Sequence, residues 1–180
     1  MGDPSAPPLD PEALFPLLDR HRVSYVIVGG LAATIHGATR VTFDIDLVPE
    51  WTDENLTRLA AALRAAGAES SIPEAPEHVP TPIDAQALRQ FEVSTWRTPH
   101  GDLDIVVGTP TATRGQLSGY EALQARAQRR QAFGVTVLVA DLDDVIESKQ
   151  ALAREPDLVA LPELHRLRER LRQPGAGDKG

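Results

Sequence analysis

Three aspartates define the chemistry this sequence could perform. In Arg40-Val41-Thr42-Phe43-Asp44-Ile45-Asp46-Leu47-Val48, two carboxylates stand two residues apart. On an extended chain that spacing places Thr42, Asp44 and Asp46 on one face and Val41, Phe43, Ile45 and Leu47 on the other. The two carboxylates then lie about 7 Å apart along the strand, where they repel unless a cation sits between them. A solvated edge strand is one reading of this face. The four apolar residues opposite favour another, a strand anchored in a sheet and presenting its acids on a rigid platform. Asp104 has apolar neighbours on both sides and lies inside a second strand-like run, where a carboxylate is costly unless paired or metal-bound. Asp102, at the start of that run, reads as a solvated turn acid. If the two runs are adjacent strands, Asp44, Asp46 and Asp104 form an oxygen-only cluster of the kind that suits Mg²⁺ or Mn²⁺ better than zinc.

Two further features belong with the acids. Val26-Ile27-Val28 ends at Gly29-Gly30, and a helix follows. Consecutive glycines at a strand-to-helix turn let backbone amides approach a phosphate, with the helix dipole behind them, although such a pair can also be only a turn. Lys149 sits in the middle of the apolar stripe made by Leu142, Val145, Ile146 and Leu152, where a core residue is expected. It is one of only two lysines against 16 arginines, and Lys179 lies in the C-terminal tail. Either it snorkels, with its stem on the core and its ammonium in solvent, or it delivers a compact charge to a phosphate or to the carboxylates. The scarcity of lysine elsewhere favours the second.

The elements that must position these groups are legible from periodicity and punctuation. A helix runs from Asp10-Pro11 to about Arg22, followed by a strand over 25–28, an alanine-rich helix over 31–37 and a strand over 41–48 stopped by Pro49. Thr52 and Asp53 open a helix to Ala66. A proline-rich loop spans 70–82, and a short helix spans 85–89. Runs 91–98 and 102–107 form a hairpin about Pro99-His100-Gly101. A polar helix over 117–129, one strand over 131–139, a helix from Asp141 to about Arg154 and a last helical region over 156–172, broken or restarted at Pro162, complete the chain. Residues 1–9 read as a flexible lead-in, 10–172 as a single domain and 173–180 as a loose tail. The alternation predicts an α+β fold of α/β-like character: a small mixed sheet flanked by helices, with a C-terminal helical segment.

Composition narrows the function classes. The chain has 42% hydrophobic and 24% charged residues, which is ordinary globular usage. With no cysteine there is no disulfide framework, thiolate zinc site or thiol nucleophile. No membrane span or signal pattern stands out, so a cytoplasmic protein without membrane partners is expected. Net charge is −8 and only eight residues are aromatic, which argues against a whole surface built to grip nucleic acid. Arginine clusters at 126, 129 and 130, and at 166, 168, 170 and 172, read as solvated helix faces or as local contacts for an RNA. His21, His78, His100 and His165 have no metal spacing, and His36 reads as a packed histidine. Nothing resembles a nucleophile elbow.

The segment VGGLAATIHGATRVTFDIDLV, together with Asp104, resembles the signature of the nucleotidyltransferase superfamily of the DNA polymerase β type. In that family a Gly-Gly or Gly-Ser turn opens a helix, an Asp-x-Asp strand follows, and a third acid comes from a later strand. SKQALAREPDL, with Lys149, Arg154 and Asp157, resembles the closing motif of its minimal bacterial branch, which includes the nucleotidyltransferases of abortive-infection (type IV toxin–antitoxin) systems. Many family members carry serine where this chain has Gly30, so only backbone amides remain there. The resemblance implies an NTP held by Gly29 and Gly30, with Thr42, Lys149 and Asp157 among the nucleotide-binding residues. It also implies Mg²⁺ (or Mn²⁺) on Asp44 and Asp46, Asp104 completing the metal site and helping to activate a hydroxyl, and Lys149 neutralising phosphate charge. Asp157 would position Lys149 or an acceptor group, and Arg40 would either touch phosphate or cap the preceding helix. The implied activity is transfer of a nucleotide to an acceptor hydroxyl on RNA such as tRNA, on protein or on a small molecule, with a toxin role and an antitoxin partner among the expectations. The other reading is a non-catalytic, antitoxin-like binding partner of the same fold.

Overall fold

The computed structural model describes residues 7–70 and 82–173. Most of the expected lead-in, the loop over 71–81 with His78, and the tail with Lys179 lie outside the described residues.

Helix α1 (Pro11–Arg20) opens where the Asp10 carboxylate accepts from the Ala13 amide. It leads to β1 (Tyr25–Val28), every residue of which is buried. Helix α2 (Gly29–His36) follows with no spacer, so the glycine pair is its first turn rather than a loop ahead of it. Then come β2 (Asp44–Pro49) and α3 (Asp53–Ala65), the latter capped by Thr52. Next are β3 (Glu69–Ser70), α4 (Ala85–Arg89), β4 (Val93–Thr98) and β5 (Gly101–Val106). Short strands β6 (Thr109–Pro110) and β7 (Leu117–Ser118) pair with each other and precede α5 (Tyr120–Gln124). The chain continues through β8 (Gln128–Ala132), β9 (Val135–Val139), α6 (Leu142–Leu152) and α7 (Glu155–Arg172).

Seven strands form one mixed sheet in the order β3-β4-β5-β2-β1-β9-β8. The β2–β5 and β1–β9 pairs are parallel and the others antiparallel. The expected α+β fold is therefore observed. Ile27, Ile45, Leu47, Leu103 and Ile105 are fully buried at the sheet centre, with Phe15, Leu56, Leu59 and Leu63 packed onto it from α1 and α3.

Several expectations are corrected. The acidic strand begins at Asp44, not at residue 41. Val41 and Phe43 are 77% and 63% exposed, so only Ile45 and Leu47 of the four apolar residues anchor it. The Thr42 hydroxyl bonds to Asp44 instead, to its carboxylate at 3.0 Å and its carbonyl at 3.2 Å, a local bond that competes with extended pairing. The strand expected over 131–139 is a hairpin, β8–β9, turning at Phe133 and Gly134, both with positive φ, which is the two-residue turn that suits strand twist. The polar helix shrinks accordingly to α5. Helix α7 runs through Pro162 unbroken. Proline removes the hydrogen bond to the Leu158 carbonyl, and Leu158 is exposed, so water can satisfy that carbonyl. Leu152, expected in the buried stripe of α6, is exposed.

Candidate active site

Strand register brings the acids together. Asp46 lies opposite Val28 of β1 on one side and Asp104 of β5 on the other, and Asp44 lies opposite Asp102. Paired residues on neighbouring strands share a face at roughly 5 Å spacing. All four aspartates therefore face the same way, and Asp102 is a ladder residue rather than a turn acid. Its charge is met by Arg97 across the β4–β5 ladder, with Nε 3.5 Å from Oδ1.

The electrostatics concentrate on Asp46. Burial, then the charges of Asp44 and Asp104, push its carboxyl up to about 7, against the opposing pull of Lys149 and of the Gly30 amide, which donates to it. Burial also raises Asp104. The Thr95 hydroxyl, donating to Oδ1 at 2.6 Å, opposes the rise, and Asp44 and Asp102 add to it. The Gly30 amide thus serves Asp46 in this structure rather than standing free in a phosphate cradle.

Both glycines are required by space. Gly29 has φ +63°, and a Cβ there would lie 2.0 Å from Asp46 Oδ2. A Cβ on Gly30 would lie 2.6 Å from Thr42 Oγ1. The threonine hydroxyl therefore occupies the space a side chain at position 30 would need.

The donor set is oxygen only, and a cation would relieve the mutual repulsion of Asp44, Asp46 and Asp104, so the residues fit a hard divalent metal in kind. Among the described residues, however, no three acidic or histidine side chains converge closely enough to hold a metal ion as they stand. The hydroxyls of Thr42 and Thr95 hold the carboxylates of Asp44 and Asp104.

Lys149 neither snorkels freely nor packs as a core residue. Its Nζ lies 3.0 Å from Asp157 Oδ1, with the two side chains 16% and 2% exposed. Asp157 is in the first turn of α7, brought back toward α6 by the left-handed Ala153 at φ 48°. Arg154 Nε holds the other carboxylate oxygen at 2.7 Å. Burial works to raise Asp157, but the hydrogen bonds from Arg154 and Lys149 outweigh it and hold the carboxyl below its ordinary value.

Two cavities, each about 350 Å³, meet at this cluster. Gly29, Asp46, Asp104, Lys149, Arg154 and Asp157 line both. The α2-side cavity adds Gly30, Arg40, Thr42, Phe43 and Asp44. The β5-side cavity adds Val28, Val93, Val106, Leu117, Val145 and Leu152, with Glu92 and Asp144. Every candidate site residue therefore falls on one of the two cavities. Of the two roles open to Arg40, the cap is filled otherwise: Gly37, left-handed at φ 108°, closes α2, and the Thr34 hydroxyl reaches the Arg40 carbonyl.

Thr95, Arg154, Glu92 and Asp144 are site residues that single-residue reasoning does not select. Arg154 is the one with a sequence signal, since it stands in the segment that also carries Lys149 and Asp157. The basic clusters are partly accounted for by ion pairs. Arg126 grips Asp144 through Nε, 3.1 Å from both oxygens, and Arg168 and Arg172 bond to Asp143. His36 is packed, as expected, with Nε2 2.8 Å from the Ala140 carbonyl.

No protein-family model and no curated protein matches the sequence. Solved structures do match. The lincosamide antibiotic adenylyltransferase LnuA with lincomycin bound shares 12% identity over 89% of this chain and 99% of its own, at a TM-score of 0.57. The antibiotic-resistance protein ANT(2'')-Ia with adenylyl-2''-tobramycin shares 16% over 88% and 92%, at 0.51. TM1012 of Thermotoga maritima, itself provisionally assigned as a nucleotidyltransferase, shares 16% over 94% and 98%, at 0.50. Likeness at this level of identity establishes a shared fold across nearly the whole chain.

Proposed function

We propose that this chain, which has the nucleotidyltransferase fold, transfers a nucleotidyl group from an NTP to an acceptor hydroxyl with release of pyrophosphate. The observation that carries the reading is the pairing of Asp46 with Asp104 across parallel strands, between the first turn of α2 and the anchored Lys149. A fold alone does not imply function. Here the reading rests on acids, glycines and a lysine that separate segments of the chain bring to the same two cavities.

Each residue has a role in that reaction. Arg40 and the start of α2 meet the phosphates on the α2 side, where Thr42 lines the cavity while its hydroxyl and the Gly30 amide hold Asp44 and Asp46. Lys149, fixed by Asp157 rather than free to rotate, meets phosphate charge as it builds, which is where preorganised cations contribute most. Arg154, sharing Asp157 with it, reaches both cavities. Asp104 lies on the wall between the cavities. Its Oδ1 accepts from the Thr95 hydroxyl, which orients the carboxylate and leaves Oδ2 the less engaged oxygen for a hydroxyl proton. Asp44 and Asp46 would hold Mg²⁺ (or Mn²⁺), with Asp104 completing the set. The metal supplies Lewis-acid stabilisation of the phosphoryl oxygens and lowers the pKa of the attacking hydroxyl. Which acceptor-defined branch of the superfamily the chain falls in, the toxin type with an antitoxin partner included, turns on the acceptor.

The test is to incubate the purified protein with Mg²⁺ and each labelled NTP, in turn with tRNA, protein extract and small alcohols. Transfer of label with pyrophosphate release is expected, and Asp46→Asn should lower it by at least about 10²-fold, as loss of an electrostatic group does. NTP turnover with no acceptor in any arm, or transfer indifferent to Asp46, contradicts the proposal.

A further inference from the structure

We infer that Thr95 and Thr42 are positioning residues, whose hydroxyls fix Asp104 and Asp44 for a divalent cation without cancelling the charge that attracts it. This role rests on the transfer reading, with its divalent cation, and adds to it the residues that aim the outer two carboxylates.

The β4–β5 ladder contains its own comparison. Two residues of β4 meet two acids of β5 in register. Arg97 lies opposite Asp102, with Nε 3.5 Å from Oδ1, and Thr95 lies opposite Asp104, with its hydroxyl donating to Oδ1 at 2.6 Å. One strand pair thus gives one acid a cation and the next a neutral donor. The division extends across the site. Asp144 and Asp157, the other buried acids on the cavity walls, are bonded to Arg126 and to Lys149 with Arg154. Each carboxylate of the cluster receives a neutral donor instead: the Thr42 hydroxyl on Asp44 at 3.0 Å, the Gly30 amide on Asp46 and the Thr95 hydroxyl on Asp104. Among the described residues no ion pair reaches any of these three.

The difference has a chemical consequence. A guanidinium opposite a carboxylate neutralises it and can engage both oxygens. A hydroxyl has one hydrogen to give, so it fixes one oxygen and leaves the charge and the other oxygen in place. Asp44 and Asp104 accept no other side-chain hydrogen bond among the described residues, which leaves Oδ2 of each for a cation. Threonine suits this task, because its branched Cβ restricts χ1 and holds the donor still. The three carboxylates do not converge on a common point as they stand. Tethered from one side, the outer two are kept apart against their repulsion while their direction is set. Partners that orient metal ligands in this way commonly contribute about 10–100-fold to affinity.

Mn²⁺ added alone to the full chain is the probe, and the loss of its free EPR signal reads binding without turnover. Thr95→Val and Thr42→Val keep the branched shape and remove the donor. Each is expected to weaken Mn²⁺ binding by roughly 10–100-fold, and serine at either position to keep it within about threefold of the native chain. Thr95→Arg, which gives Asp104 the kind of partner Asp102 has, should abolish binding at concentrations that saturate the native chain. Melts in chelator check that each variant is folded. A valine variant that melts lower but binds Mn²⁺ as tightly as the native chain has lost a merely structural bond, and that result overturns the inference. So do serine variants as weak as the valine ones, native affinity in Thr95→Arg, or no Mn²⁺ binding by the native chain. Weakened Mn²⁺ binding in the valine variants, with no nucleotide transfer to any acceptor, leaves the positioning role standing while the transfer reading falls. Transfer by a native chain whose Mn²⁺ affinity the valine variants share does the reverse.

Discussion

Asp46 is held in tension, because burial and two neighbouring carboxylates push its proton affinity up while Lys149 and the Gly30 amide pull it down. The balance leaves the carboxyl raised from 3.8 to about 7 in the folded state. A folded-state value above the unfolded one favours the protonated fold, so the contribution is fully present below 3.8 and is lost as pH rises through about 7. With a chelator present, thermal melts should therefore fall across that window for the native protein and fall less for Asp46→Asn. Mg²⁺ should return the lost stability above pH 7 only when Asp46 is present. Identical pH profiles for the two proteins would remove the basis for this argument. Asp157 makes the opposite case, a buried carboxylate satisfied by two cations. Asp157→Ala leaves Lys149 partly buried and unpaired, at an expected loss of about 3 kcal/mol. That corresponds to a melting point lower by about 6–12 °C for a domain of this size. Adding Lys149→Met should recover part of the stability and none of the transfer, which separates the structural role of the pair from the chemical one. At this scale the sequence was readable where charge interrupts an apolar pattern, as at Asp104 and Lys149. Thr95 and Glu92 gave no such signal, because a hydroxyl or an acid on a half-exposed strand is ordinary until its neighbours across the sheet are known.

At the scale of elements, local punctuation was the reliable guide and register was not available from sequence. Asp10-Pro11, Thr52-Asp53 and Asp141 mark helix starts because their side chains cap backbone amides within three residues, a relation contained in the sequence itself. The parallel pairing of β2 with β5, which brings Asp46 beside Asp104, joins segments more than fifty residues apart, and nothing local encodes it. The β8–β9 hairpin went unread for a different reason. Phe133-Gly134 lacks the usual Asn-Gly turn composition, and Phe133 takes a left-handed φ of 54° while its ring stacks on Phe15 at 4.9 Å. Tertiary packing there supports a conformation that propensity disfavours. Gly134 has φ +76°, with no neighbour near its missing Cβ, so backbone strain alone should set the effect of a substitution. Gly134→Val is expected to destabilise the fold by about 1–2 kcal/mol in denaturant titration. Transfer per folded molecule should stay unchanged, since the hairpin tip lines neither cavity.

For the whole molecule, charge and binding can be read together. A ligand that binds only the folded state stabilises it by mass action, about 2.7 kcal/mol at a hundredfold excess over Kd. NTP with Mg²⁺ should therefore raise the melting point by roughly 5–10 °C. A non-catalytic, antitoxin-like protein with an idle site would show no such shift. The net charge of −8 then bears on the acceptor. Part of the negative charge is concentrated at the aspartate cluster, and three arginines of the two basic clusters, Arg126, Arg168 and Arg172, are paired with acids. A protein that makes six to ten phosphate contacts loses about 10³–10⁵ in affinity between roughly 50 and 200 mM salt, because each contact releases condensed counterions. A small-molecule acceptor releases almost none. At saturating NTP, the KM for a small-molecule acceptor should accordingly change by less than about threefold over that salt range. A steep log–log dependence would instead place a polynucleotide on this surface, gripped by arginines outside the two cavities.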